Sequence, residues 1–215
     1  MDIWYLGHSS FRLKGKTATV VTDPFDPKMV GMDFPKVEAD IVTVSHDHRD
    51  HNQSDQVKGV KKVIKGPGEY EINGVSIVGI KTYHDSEKGE KRGKNTIYVF
   101  EIDDLRLAHL GDLGTKLSEK QIESMGEIDV LFIPIGGEYT INAQVAAQVA
   151  RDIEPVIIVP MHYMQKGLKK DTFAKLTDEK PFINDLGLPV ENEKRLNIRK
   201  LSLGEEQKIV IMERK

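Results

Sequence analysis

The sequence predicts a single α/β domain in which hairpin-connected strands outnumber helices. Three observations predict it. Short β-branched and aromatic runs recur between tight turns along most of the chain. One strongly helical, alanine-rich segment, 142–153, lies between two buried-type strands. The 215 residues contain no repeat, low-complexity tract or linker, and that length suits one substantial core covering residues 1–215.

The elements follow in order. Ile3 to Leu6 is apolar and stops at Gly7; Phe11 to Leu13 alternates and turns at Gly15-Lys16; Thr17 to Thr22 is β-branched and breaks at Asp23-Pro24. Val30 to Glu38 reads as loop, and Ile41 to Val44 is a compact buried-type strand. Lys62 to Ile64 is short, while Tyr70 to Ile72 and Val75 to Tyr83 flank Asn73-Gly74, a type I′ hairpin signal. Thr96 to Ile102 and Leu105 to Leu110 join across Asp103-Asp104. Ser118-x-x-Gln121 is a capping-box pattern that opens a helix to about Met125, and Asp129 to Ile135 is another buried strand. Asn142 is placed to cap the helix ending at Ile153, after which Val156 to Val159 is a strand. Residues 171 to 186 predict one or two modest helices, with strands again at Arg195 to Leu201 and Lys208 to Met212.

Composition narrows the function. The chain has no cysteine, which excludes disulfides, thiol catalysis and thiolate metal ligands, so nitrogen and oxygen must hold any transition metal. A net charge of −3 gives no global pull toward nucleic acid. The basic clusters Lys88 to Lys94 and Lys166 to Lys170 read as solvated loops. No apolar run is long enough for a bilayer, and the N-terminus shows no signal-peptide pattern. A soluble, cytoplasmic protein without a membrane partner is expected.

The seven histidines carry the chemistry. Six lie at or close after a predicted strand end or turn, where a sheet presents side chains to a ligand from a rigid base. His46 and His48 are two apart, so on an extended segment both imidazoles reach one side. Asp50 and His51 follow where the loop is expected to turn into a helix and face the same cavity from another direction. Burying such groups unpaired costs roughly 2–7 kcal/mol each. A metal ion satisfies them together.

His46-x-His48-x-Asp50-His51 resembles the signature of the metallo-β-lactamase superfamily, and His84, Gly111-Asp112 and His162 resemble its later motifs in order. Gly7-His8-Ser9-Ser10-Phe11, Asp23-Pro24, Pro134-Ile135-Gly136-Gly137 and Pro160-Met161-His162-Tyr163 are similar to the small UlaG-like and YtkL-like branch. That branch includes an ascorbate-phosphate lactonase. The resemblance implies a four-layer αββα sandwich and two divalent metal ions, zinc first, with manganese or iron as alternatives. It implies that His46, His48 and His84 hold one ion, that Asp50, His51 and His162 hold the other, and that Asp112 bridges them. A hydroxide between the ions would attack a small ester, lactone, amide or phosphodiester. Asp50 would orient that nucleophile, and His8 would donate a proton or contact the substrate.

His109 reads as structural or as support for a ligand, Asp23 as a partner of a ligand imidazole or a turn cap, and Tyr139 and Tyr163 as rim or core. The polar loop Asp85 to Lys94 lacks the apolar flap of β-lactam binders, so antibiotic hydrolysis is discounted. Two other readings stand: a phosphodiesterase or nuclease, whose basic loops must line the mouth of the site, and a metal-binding protein without turnover. The partner expected is a small-molecule substrate rather than nucleic acid; a homo-oligomer is left open.

Overall fold

The computed structural model describes all residues, 1–215. Two mixed sheets face each other. The first orders its strands Leu196–Asn197, Asp2–Gly7, Ser10–Lys14, Thr19–Thr22, Ile41–Val44 and Lys62–Lys65. The second orders Val190–Glu193, Lys208–Met212, Ile157–Met161, Val130–Pro134, Leu105–His109, Lys94–Ile102, Val75–Tyr83 and Gly68–Ile72. Hairpins build much of both. Asn73-Gly74 has φ of 51° and 74°, and Asp103-Asp104 has 54° and 67°. Positive φ at both central residues is what a type I′ turn demands, and its twist matches the strands it joins.

The pairing directions matter for function. Thr19–Thr22, Ile41–Val44 and Lys62–Lys65 run parallel, and Asp2–Gly7 points the same way through two antiparallel steps. In the second sheet Leu105–His109, Val130–Pro134 and Ile157–Met161 are parallel, and Val75–Tyr83 shares their direction. Within each sheet these carboxyl ends therefore gather at one edge.

The inner faces form the main core, with Phe11 and Phe132 rings 4.3 Å apart at its centre. Every residue of Ile157–Met161 and Val130–Pro134 is buried, as strands covered on both faces require. The cover is the helix Ala143–Ile153, whose Ala146, Ala147 and Ala150 let it approach the sheet closely. Asn142 caps it by accepting from the Val145 N–H at 3.0 Å, and Arg151 ties it to Asp185 of the helix Lys180–Leu186. The capping box at Ser118 and Gln121 is present on the helix Glu119–Met125. The outer face of the first sheet carries a thinner layer, in which the paired strands Val37–Glu38 and Val57–Lys58 pack with Phe34 over Leu6, Val42 and Val44. No helix is long and apolar enough to cross a membrane.

Several elements differ from expectation. The segment 30–38 holds the strand Val37–Glu38 and follows a helical turn, Pro27–Val30, capped by Asp26. The expected strand 195–201 shrinks to Leu196–Asn197 before a 3-10 turn, Lys200–Ser202, with Leu201 wholly exposed. Val190–Glu193 is an additional edge strand, whose exposed Glu191 and Glu193 give no apolar alternation to read.

Candidate metal centre

Strand ends deliver the site. His8 follows Asp2–Gly7, Asp23 follows Thr19–Thr22, His46 and His48 follow Ile41–Val44, His84 ends Val75–Tyr83, Asp112 follows Leu105–His109 and His162 follows Ile157–Met161. Asp50 and His51 do not open a helix. The His51 N–H donates to the His48 carbonyl at 2.9 Å, closing a turn that sets His51 across from His46, ring to ring at 4.3 Å.

Two donor groups result. His46, His48 and His84 bring one ligand atom each within 4.8 Å of one another, as do His8, Asp50, His51 and His162. Asp112 lies between them. Its Oδ2 is 3.3 Å from the Nε2 of His84, His51 and His162 and 3.8 Å from that of His46. Two donors bound about 2.1 Å from one ion lie roughly 3.0–3.4 Å apart, so three of these four spacings match those of donors sharing an ion. The Nε2 atoms of His46, His51 and His162 and the Asp112 Oδ1 are buried without hydrogen-bond partners. Each such orphan costs about 1–3 kcal/mol. A divalent ion accepting imidazole and carboxylate donors removes that cost, so the residues fit the group the sequence implies.

Neighbours orient the candidate ligands. Asp23, fully buried, accepts from the Ser45 N–H at 2.8 Å and from the Ser45 hydroxyl, and meets His51 Nδ1 at 2.9 Å. The Ser45 proton is thus committed to Asp23, and Ser45 Oγ, 2.9 Å from His46 Nδ1, must accept from it. Both imidazoles then keep Nε2 free for a metal. The sequence offered Asp23 as such a partner; Ser45 it did not. His109 is structural: its Nδ1 accepts from Gly111 N–H at 3.2 Å, so its Nε2–H donates to the Ser9 carbonyl at 2.8 Å. Asn95 is a second residue the sequence reading missed. Its Oδ1 accepts from the Asp112 N–H at 3.0 Å and its Nδ2 donates to the Leu110 carbonyl at 2.8 Å, clamping both sides of Gly111. Asn95 is buried near the start of the strand Lys94–Ile102, and a lone asparagine between a polar loop and an apolar run carries no signal of that role.

Burial disfavours charge throughout. Burial, then the neighbouring His162, pushes His8 down to about 4. Burial brings His84 to about 4 as well, and burial with the adjacent His51 holds His46 well below the usual histidine range. For Asp112 burial works toward the neutral acid, but His162 and His51 outweigh it and hold the carboxyl well below its usual range. His51 is the exception among the imidazoles: burial opposes its charge, yet Asp112 and Asp50 outweigh burial and raise it. Buried carboxylates therefore favour cations here, and binding of an ion would displace protons.

A cavity of about 380 Å³ opens on the centre, with His48, Asp50, His84 and Asp112 at its floor and Arg92, Tyr139 and Phe173 on its walls. Tyr139 donates its hydroxyl to the Thr172 carbonyl at 2.6 Å, and Arg92 lies over its ring at 5.3 Å. Tyr163 is core. A second groove of about 650 Å³ shares His48 and Arg92 and adds Lys65, Lys88 and Lys94. The first basic cluster is solvent-exposed, as expected of a solvated loop, and it also borders the site.

Asp85 shapes that loop, accepting from the backbone N–H groups of Glu87, Gly89, Lys91 and Arg92 at 2.7–3.1 Å. Burial raises its carboxyl, but these N–H groups outweigh it and hold it below the ordinary value. A depressed folded-state pKa contributes stability that is complete above about pH 4 and lost as pH falls through the folded value. Hydrogen exchange should show the Gly89 and Arg92 amides protected at neutral pH and exposed under acid; Asp85→Asn should expose them at every pH. Unchanged protection in that variant would refute the clamp.

The profile of the β-lactamase superfamily domain matches residues 2–162. The chain belongs to this superfamily. Its fold agrees: a Thermotoga maritima protein, provisionally assigned as a Zn-dependent hydrolase of the metallo-β-lactamase superfamily, superposes with a TM-score of 0.83 at 40% identity over 100% of this chain and 99% of its own. A UPF0173 metal-dependent hydrolase of Pyrococcus horikoshii is 29% identical over 76% of this chain and 84% of its own. One of Methanopyrus kandleri is 28% identical over 89% and 95%. The four-layer sandwich of the metallo-β-lactamase superfamily is thus the fold of this chain.

Proposed function

We propose that this chain is a binuclear metal-dependent hydrolase of a small ester, lactone, amide or phosphodiester. One observation carries the reading: a single carboxylate oxygen, Asp112 Oδ2, stands within 3.8 Å of imidazole nitrogens from both donor groups. His46, His48 and His84 would hold one ion, Asp50, His51 and His162 the other, and Asp112 both. Nitrogen and carboxylate donors suit zinc, with manganese or iron as alternatives. When bound, two such ions supply a water acidified toward neutrality and a Lewis acid for the substrate oxygen.

The protein's own groups do the rest. Asp50 lines the cavity while its Oδ2 faces His8 and His51, which leaves Oδ1 to accept a proton from an attacking water. Asp23 and Ser45 fix the ring orientations of His51 and His46. Phe173, Met29 and Tyr139 wall the cavity and exclude bulk water around the reacting bond.

The groove favours the phosphodiesterase arm of this reading. Lys65, Lys88, Arg92 and Lys94 line it, and none has a carboxylate within 4.0 Å. Cations without partners beside a metal centre suit an anionic substrate. A screen of the metal-loaded protein against neutral lactones, N-acyl amides, β-lactams and phosphodiesters should favour the anionic compounds. Arg92→Ala should raise their KM about 10-fold, the worth of one charge-assisted hydrogen bond, with kcat little changed. Equal turnover of neutral and anionic substrates, indifferent to Arg92, would reject this arm; no hydrolysis of any class would reject the whole reading.

A further inference from the structure

We infer that His8 is a further ligand of the second ion, binding through Nε2, and that the two ion sites are therefore unequal. The inference rests on the two-ion reading. His8 Nε2 lies 3.3 Å from Asp50 Oδ2, and its ring centroid is 4.2 Å from that of His162 and 5.1 Å from that of His51. Its ligand atom belongs to the same compact group as Asp50, His51 and His162.

Three features separate a ligand from the alternatives. First, neither ring nitrogen has a hydrogen-bond partner, although the residue is only 2% exposed. A buried histidine kept for packing satisfies its nitrogens, as His109 does at both. Second, 3.3 Å is long for a charge-assisted N–H···O contact, typically about 2.7–2.9 Å, but it is the spacing of two donors around one ion. Third, His8 does not line the cavity, and Phe173 and Phe25 stand 5.2 and 6.4 Å from its ring, so substrate contact is not what its position offers.

The backbone around it is held from several sides. His8 has φ of +55°, in the left-handed region that few residues with a side chain adopt. Its carbonyl accepts from the His162 N–H at 3.0 Å and the Tyr5 hydroxyl at 2.9 Å. The adjoining Ser9 carbonyl accepts from His109 at 2.8 Å. The turn that bears one ligand is thereby fastened to the strand end that bears another.

The second site then offers His8, Asp50, His51, His162 and Asp112, against His46, His48, His84 and Asp112 for the first. Five donors of mixed nitrogen and oxygen suit a five- or six-coordinate divalent cation held tightly. The first site has fewer protein donors, and its His48 and His84 border the cavity, so the open position for substrate falls to it by donor number, although Asp50 of the second site lines the cavity too.

The test is titration of metal-free protein with Co²⁺, followed by visible absorption and by hyperfine-shifted proton resonances. In the wild type, His8, His46, His51, His84 and His162 should each give a sharp shifted ring N–H, with exposed His48 exchanging faster. His8→Ala and His8→Gln should each lose the His8 signal and weaken one equivalent of metal by at least about 10-fold, leaving the other unchanged. The absorption should intensify in His8→Ala as the coordination number falls. Identical affinities and spectra in both variants would overturn the assignment. If neither variant folds, the wild-type count decides, since four sharp signals in place of five also overturn it. A wild type that binds a single ion refutes the two-ion reading separately, because the His8 resonance at that ion is still present or absent.

Discussion

An Asp112→Asn protein should fold, lose turnover by more than about 10²-fold and release at least one ion. Loss of a residue that merely supports a ligand costs about 10–100-fold in affinity or activity, and Asp112 touches both donor groups itself. Its Oδ2 faces four imidazole nitrogens, and the carboxylate is among the charges that raise the His51 pKa against burial. An amide keeps the shape but removes the negative charge that would hold the two proposed cations together. Metal content and kcat/KM measured on one preparation test this. Full turnover would place the chemistry elsewhere; loss of metal from a protein that never hydrolysed anything would favour the non-catalytic reading.

Gly111→Ala is the second large effect, and it acts through the backbone. Gly111 has φ of +55°, and a Cβ there would meet Asn95 Oδ1 at 2.4 Å and Ser45 Cβ at 2.6 Å. The left-handed conformation costs an alanine about 1–2 kcal/mol, and overpacking adds about 1–3 kcal/mol. The sum, roughly 2–5 kcal/mol, lowers Tm by about 4–20 °C in a domain of this size. The damage should also reach the metal, because Asn95 positions the Asp112 backbone and Ser45 orients His46. Thermal unfolding and metal analysis check both; a variant with wild-type Tm and metal content would mean that this close approach is dispensable.

The sequence made the strands, the two longer helices and the metal-binding segment legible because each has a local cause. Asn73-Gly74 must turn, Asn142 must cap, and His46-x-His48-x-Asp50-His51 cannot be a core. His84, Asp112 and His162 stood out as candidate ligands only through their order along the chain, and the sheet directions bring them to one edge. What stayed hidden depends on partners far apart in sequence. Asn95 clamps Gly111 from 16 positions away, and Ser45 relays between His46 and Asp23. Val190–Glu193 forms by pairing with Lys208–Met212 rather than by its own pattern. The turn at His48 to His51, where a helix was expected, is fixed by Asp26, whose N–H donates to the Arg49 carbonyl at 2.9 Å and whose carboxylate pairs with the Arg49 side chain.

The central claim is that one carboxylate and the surrounding imidazoles hold two ions. Metal-free protein titrated with Zn²⁺ or Mn²⁺, dialysed and measured by elemental analysis, tests it directly. Two equivalents per chain are predicted, with a rise in Tm of about 5–10 °C for each site held at a hundred times its dissociation constant. One equivalent or none, with no gain in thermal stability, would contradict the account.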